Sequence, residues 1–195
     1  MITAIILAAG ESKRMGRPKM LLPWGKTTVL GQVIVVLKNA GIEDILVVCG
    51  GDREGVEATA KAHQVGRIFN PDYANGEMLR SLQIALAALD AKTSAALVCL
   101  GDQPQIQEKS VHAVLQEYAR SSASLIVPSY QRRRGHPWLA TRALWDELLS
   151  MKPPQSPRDF SNVHAAEIKY IDVETPSVIE DLDTPKDYQK YTHKA

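Results

Sequence analysis

Directly behind the apolar run Ile2 to Leu7, the small residues Ala8, Ala9 and Gly10 are followed within one short segment by the cations Lys13, Arg14 and Lys19. Small residues let backbone N–H groups approach an anion closely, and cations so spaced make charge-assisted hydrogen bonds to several phosphate oxygens. The stretch predicts a nucleoside triphosphate site. It contains neither G-x-x-x-x-G-K-[ST] nor the dinucleotide fingerprint G-x-G-x-x-G, because Gly10 and Gly16 stand too far apart. A second chemistry-bearing residue is Asp102 in Gly101-Asp102-Gln103-Pro104. Its carboxylate is a hard oxygen donor suited to Mg²⁺, which takes one or two protein carboxylates and completes its shell with water and phosphate oxygens. Asp102 also reads as the cap of a helix from Gln107 to Ala119.

These residues need a scaffold that brings them together. Apolar runs at 2–7, 44–49 and 95–100, with shorter ones at 67–69, 124–128 and 168–173, alternate with helical spacing near 30–37, 53–63, 79–89, 107–119 and 144–149. Such alternation predicts an α/β fold, a mostly parallel sheet with helices on both faces and right-handed crossovers. Ligands of open parallel sheets sit beyond the carboxyl ends of the strands, so Asp102 is expected to face the loop at Gly10. Asn70 to Gly76 is dense in turn formers, and Arg80 and Ser81 open the helix behind it, either meeting a nucleotide or standing solvated. Arg132, Arg133 and Arg134 read as a hairpin tip, and 152–157 as a proline-rich loop. Thr184-Pro185-Lys186-Asp187 reads as a helix start, which leaves Asp181 and Asp183 without a structural reason. The tail beyond Tyr191 is expected to fray.

Leu7, Ala8, Ala9, Gly10, Ser12, Arg14, Met15, Gly16, Pro18 and Lys19 resemble the signature L-A-A-G-x-S-x-R-M-G-x-P-K of the MobA/MocA-like NTP transferases, which join a nucleoside monophosphate to a phosphorylated acceptor. The resemblance implies a three-layer, Rossmann-like nucleotidyltransferase fold in a single domain, residues 1–195. It assigns nucleotide binding to Leu7, Ala8, Ala9, Gly10, Ser12, Arg14 and Lys19, with Gly76 and Ser81 at the base and ribose. It assigns catalysis to Arg14, Lys19 and Asp102. Asp102, with Asp183 from a D-x-D-T-P element, is implied to hold Mg²⁺ or Mn²⁺. Gly135 and His136, from Gly135-His136-Pro137, would border the acceptor. Because a phosphate acceptor is already ionised, His136 is expected to position it and not to act as a base.

Leu-Ala-Ala-Gly, Gly-Asp-Gln-Pro and Gly-His-Pro together look like the molybdenum cofactor cytidylyltransferase branch, which joins CMP from CTP to molybdopterin, with a molybdoenzyme or its chaperone as the implied partner. Ala9 stands where guanylyl-transferring relatives have glycine, which favours a pyrimidine; GTP is the alternative base. Sugar or polyol phosphates are alternative acceptors, and a non-catalytic nucleotide- or cofactor-binding module is the alternative of another class. Where the family carries a glycine- and arginine-containing segment beside the acceptor, this chain has Ser156-Pro157-Arg158-Asp159-Phe160.

Composition bounds the rest. The 195 residues are 45% hydrophobic and 23% charged, as in a globular chain with a full core, and the formal net charge of +1 argues against a nucleic-acid binder. With no apolar stretch of membrane-spanning length and no charged leader, the expectation is a soluble, cytoplasmic protein without a membrane partner. Cys49 and Cys99 end apolar runs and read as buried free thiols, with a disulfide or metal pair as the alternative.

Overall fold

The computed structural model describes residues 1–75 and 78–192. In chain order the elements are β1 (Ile2–Ala8), β2 (Pro23–Trp24), β3 (Thr27–Thr28), α1 (Val29–Asn39), β4 (Asp44–Cys49), α2 (Arg53–Ala62), β5 (Gly66–Phe69), α3 (Met78–Ala88), β6 (Ala95–Leu100), α4 (Glu108–Arg120), β7 (Leu125–Tyr130), β8 (Arg133–Arg134), β9 (Trp138–Thr141), α5 (Trp145–Ser150), α6 (Pro157–Val163), β10 (Lys169–Asp172) and α7 (Pro185–Thr192). The main sheet runs β10-β7-β9-β6-β1-β4-β5, with β8 hydrogen-bonded to β7. Its pairs are parallel except where β8 and β9 enter.

β1 is central, with Ile5 opposite Leu46 of β4 on one side and Val98 of β6 on the other. A strand covered on both faces is apolar throughout. The period-two alternation of its side chains divides them between two cores. Ala4, Ile6 and Ala8 pack with Ile34 of α1, Val56 of α2 and Val111 of α4. Ile5, Leu7 and Ala9 pack with Leu82 of α3, Leu148 of α5 and Phe160 of α6. The result is the expected three-layer α/β architecture, and it delivers the carboxyl ends of β1, β6, β7 and β10 to one edge.

Local chemistry accounts for most of the boundaries. Thr28 caps α1, its hydroxyl accepting from the N–H of Gly31 at 3.0 Å. The cap position of α4 is Gln107, so Asp102 is not spent on that helix. Two elements depart from expectation. β9 inserts antiparallel between β6 and β7, where a run of four residues carries too little pattern to be read as a strand. Residues 157–163, which follow the proline-rich loop expected at 152–157 and carry no expected element of their own, form α6 behind a capping box in which Ser156 Oγ accepts from the N–H of Asp159 and the Asp159 carboxylate accepts from the N–H of Ser156.

Cys49 and Cys99 are buried free thiols. Burial pushes Cys49 up to about 11 and Cys99 upward as well, so neither is a ready thiolate. Among the described residues no helix is long and apolar enough to cross a membrane.

Candidate active site

The loop after β1 is tied to its neighbours through the backbone. Leu7 O accepts from the N–H of Gly101 at 3.0 Å, and Ala9 O from the N–H of Gly51 at 3.1 Å, so the loops after β6 and β4 are drawn against it. The side chains of Leu7, Ala8 and Ala9 are buried in the two cores, which leaves them only backbone to offer a ligand. A Cβ added at Gly10 would meet nothing within 4 Å, so this glycine opens onto space that the protein itself does not fill. Ser12 takes the left-handed conformation (φ 53°) and its hydroxyl accepts from the N–H of Lys19 at 3.0 Å, closing the loop on itself. Met15, buried in the loop, packs with Leu22, Val29 and Leu182 and so anchors the loop to the segment before α7.

Two carboxylates, Asp102 and Asp183, converge on this loop, with Asp181 behind them. Lys19 pairs with Asp102, and its Nζ lies 3.3 Å from Asp183 Oδ1. Arg14 Nη2 lies 3.0 Å from Asp183 Oδ2, with the arginine side chain largely exposed. Burial works against the charge on Lys19, but Asp102 and then Asp183 beside it outweigh that and raise its pKa. Asp181 accepts from Gln103 Nε2 at 2.7 Å, and its pKa is raised by burial and by the negative charge of Asp102. Leu182 donates its N–H to Asp102 O at 3.0 Å, stitching the two acidic segments together. α7 steadies the arrangement from outside, where Tyr188 and Tyr191 pack on Trp24 with ring centroids 6.4 and 6.1 Å away.

Ser81 is buried, and its Oγ accepts from Asn70 Nδ2 at 2.9 Å, so it braces the turn before α3 and turns inward. Gly76 lies outside the described residues, as does the tail from 193 to 195.

Gly135 and His136 lie at a second locus on the same sheet edge. A Cβ at Gly135 would come within 2.5 Å of Val178 O, and the N–H of His136 donates to that carbonyl at 2.8 Å. Both residues line a cavity of about 820 Å³ between the β7–β8 hairpin, β10 and α6. Burial lowers the pKa of His136 to about 4, so its imidazole is neutral at pH 7. Arg132, Arg133, Arg134 and Arg158 line the same cavity. The hairpin arginines, expected at a solvated tip, thus share a cavity with Arg158, which the sequence shows only within a segment that departs from the family pattern. The usable signal was the Ser156-Pro157-Arg158-Asp159 capping box, which presents Arg158 from the first turn of a helix.

The family described as "MobA-like NTP transferase domain" matches residues 4–168. The chain is 30% identical to the molybdenum cofactor cytidylyltransferase of Escherichia coli K12, over 98% of this chain and 97% of that protein. It is also 28% identical to the nicotine blue oxidoreductase of Paenarthrobacter nicotinovorans, over 94% of this chain and 92% of that protein. The crystal structure of Rv0371c from Mycobacterium tuberculosis H37Rv superposes over 100% of both chains with a TM-score of 0.85 at 27% identity. A structure of Rv0371c in complex with manganese covers 100% of this chain and 99% of its own with a TM-score of 0.78. The matched span takes in the Gly10 loop, Asp102 and Gly135-His136 together, and the chain belongs to the MobA-like NTP transferases, a nucleotidyltransferase family.

Proposed function

We propose that this protein transfers the CMP moiety of CTP to the phosphate of a molybdopterin-type acceptor and releases pyrophosphate, with Mg²⁺ or Mn²⁺ as cofactor. The observation that carries this reading is the meeting of Arg14, Lys19, Asp102 and Asp183 beside a loop whose Gly10 faces open space. The relation to the Escherichia coli cytidylyltransferase supports the choice of base and acceptor.

The donor set suits a hard divalent cation, because Asp102 and Asp183 already share one cation between them in Lys19 Nζ. Asp102 and Asp183 would hold the metal, which supplies charge neutralisation at the reacting phosphate oxygens. The chain's own work is positioning and electrostatics. Backbone N–H groups beyond Gly10 receive the triphosphate, and Arg14 and Lys19 neutralise charge that grows on the leaving pyrophosphate. An acceptor phosphate oxygen attacks the α-phosphorus in line; the bond to the β-phosphate oxygen breaks, and pyrophosphate departs. No base is required, in keeping with a neutral His136 of low basicity.

The test is pyrophosphate release from the full chain with Mg²⁺, molybdopterin and each nucleoside triphosphate in turn. Release with CTP, abolished by Asp102→Ala, is the expected result. Release with GTP alone would move the reading to guanylyl transfer, and tight nucleotide binding with no release would make the protein a binding module. Release only with a sugar or polyol phosphate would replace the acceptor.

A further inference from the structure

We propose that the cavity between the β7–β8 hairpin, β10 and α6 recognises a second anionic group on the acceptor, remote from its reacting phosphate, through Arg132, Arg133 and Arg158. The proposal rests on the reading that this cavity holds the acceptor.

Its charge exceeds what the fold needs. Four arginines line the cavity against one acid, Asp172. Arg134 is held in place, donating to Tyr170 Oη at 2.9 Å and to Asn162 Oδ1 at 2.7 Å. Arg132, Arg133 and Arg158 are exposed at the cavity and donate from their side chains to no other described residue. They come from two distant parts of the chain, a hairpin tip and the first turn of α6, so no single local feature explains their gathering. The hairpin is also built against local preference. Its two-residue loop puts Gln131 (φ 49°) and Arg132 (φ 63°) in the left-handed region, where glycine or asparagine is favoured, and thereby lifts Arg132 and Arg133 to the rim.

Distance separates these guanidinium groups from the chemistry. β7 lies three strands from β1, and at the usual spacing the cavity is roughly 14 Å across the sheet from the loop at Gly10. An acceptor seated here with its phosphate at that loop is elongated and places its far end among the arginines. Planar forks of this kind suit a carboxylate, a phosphate or another oxyanion.

The test uses the full chain without nucleotide and three probes: octyl phosphate, its ω-carboxylated analogue and its ω-phosphorylated analogue. Titration calorimetry is expected to show the charged-tip probes binding roughly tenfold more tightly than octyl phosphate. Preference for the ω-phosphate alone would identify the second group as a phosphate. In Arg158→Gln and in Arg133→Gln the preference is expected to shrink to about twofold while CTP affinity, which also reports folding, is retained. Equal binding of all three probes, no binding of any, or a preference that survives both substitutions would overturn the proposal. A chain that binds no nucleotide yet keeps the tip preference would refute nucleotidyl transfer and leave the anion site standing.

Discussion

The ammonium of Lys19 stands 3.3 Å from Oδ1 of Asp183, a residue 164 positions further along the chain, and the same ammonium pairs with Asp102. One cation thus neutralises two carboxylates that meet only in the folded protein. Lys19→Ala leaves them facing each other without it, and is expected to cost up to about 3 kcal/mol of stability. Mg²⁺ should recover more of that loss in the variant than it adds to the wild type. Thermal unfolding with and without MgCl₂ measures both, and an equal Mg²⁺ effect on the two proteins would reject a shared metal seat.

Gly10 and Gly135 should respond in opposite ways to the same methyl group. Gly135→Ala drives a Cβ to within 2.5 Å of Val178 O and is expected to destabilise by about 1–3 kcal/mol. Gly10→Ala meets no protein atom within 4 Å, so the unfolding midpoint should stay put while CTP affinity falls by about tenfold. Calorimetric melts paired with nucleotide titration separate the two cases.

Two histidines should pull the pH dependence of stability in opposite directions. Burial lowers His136 to about 4 from 6.5, so between those values the unfolded chain binds the extra proton and stability is lost as pH falls. Burial also works against the charge of His164, but hydrogen bonds from its ring to Glu147 (2.8 Å) and Glu167 (3.2 Å) raise its pKa. Its contribution is therefore full below 6.5 and is lost as pH rises through the raised value. Denaturant melts across the range should show His136→Asn relieving the acid-side loss. The same melts should show His164→Gln weakening the protein on the acid side and leaving it little changed in alkali.

Ala9 offers a test of base choice. It is buried against Gly50, where an added Cβ would come within 2.8 Å of the Ala9 Cβ. Because that methyl group is packed in the core and leaves only backbone to a ligand, Ala9→Gly is expected to leave the ratio of kcat/KM for GTP over CTP unmoved. A ratio that rises with the substitution would show that Ala9 chooses the base after all.

Much of the fold was legible in the residues because it is local. β4 and β6 begin and end where their apolar runs do, since strands covered on both faces need no polar alternation. Thr184-Pro185-Lys186-Asp187 announced α7, and Thr184 Oγ1 donates to Asp187 Oδ2 at 2.7 Å as a capping pair should. Ser156-Pro157-Arg158-Asp159 has the same grammar, yet the prolines before it and the shortness of α6 hid the helix. β9 was invisible because four residues show no period.

The sequence by itself determined the family signature, the parallel core and the chemical character of the loop from Gly10 to Lys19, because these depend on residue type and near spacing. Only the tertiary structure decided that Lys19 sits between Asp102 and Asp183, that Ser81 turns inward to Asn70, and that Arg158 joins the arginines of a hairpin. Periodicity tells which face of a strand or helix is buried, but partners across a sheet are chosen by strand order, and strand order is a property of the whole packed chain.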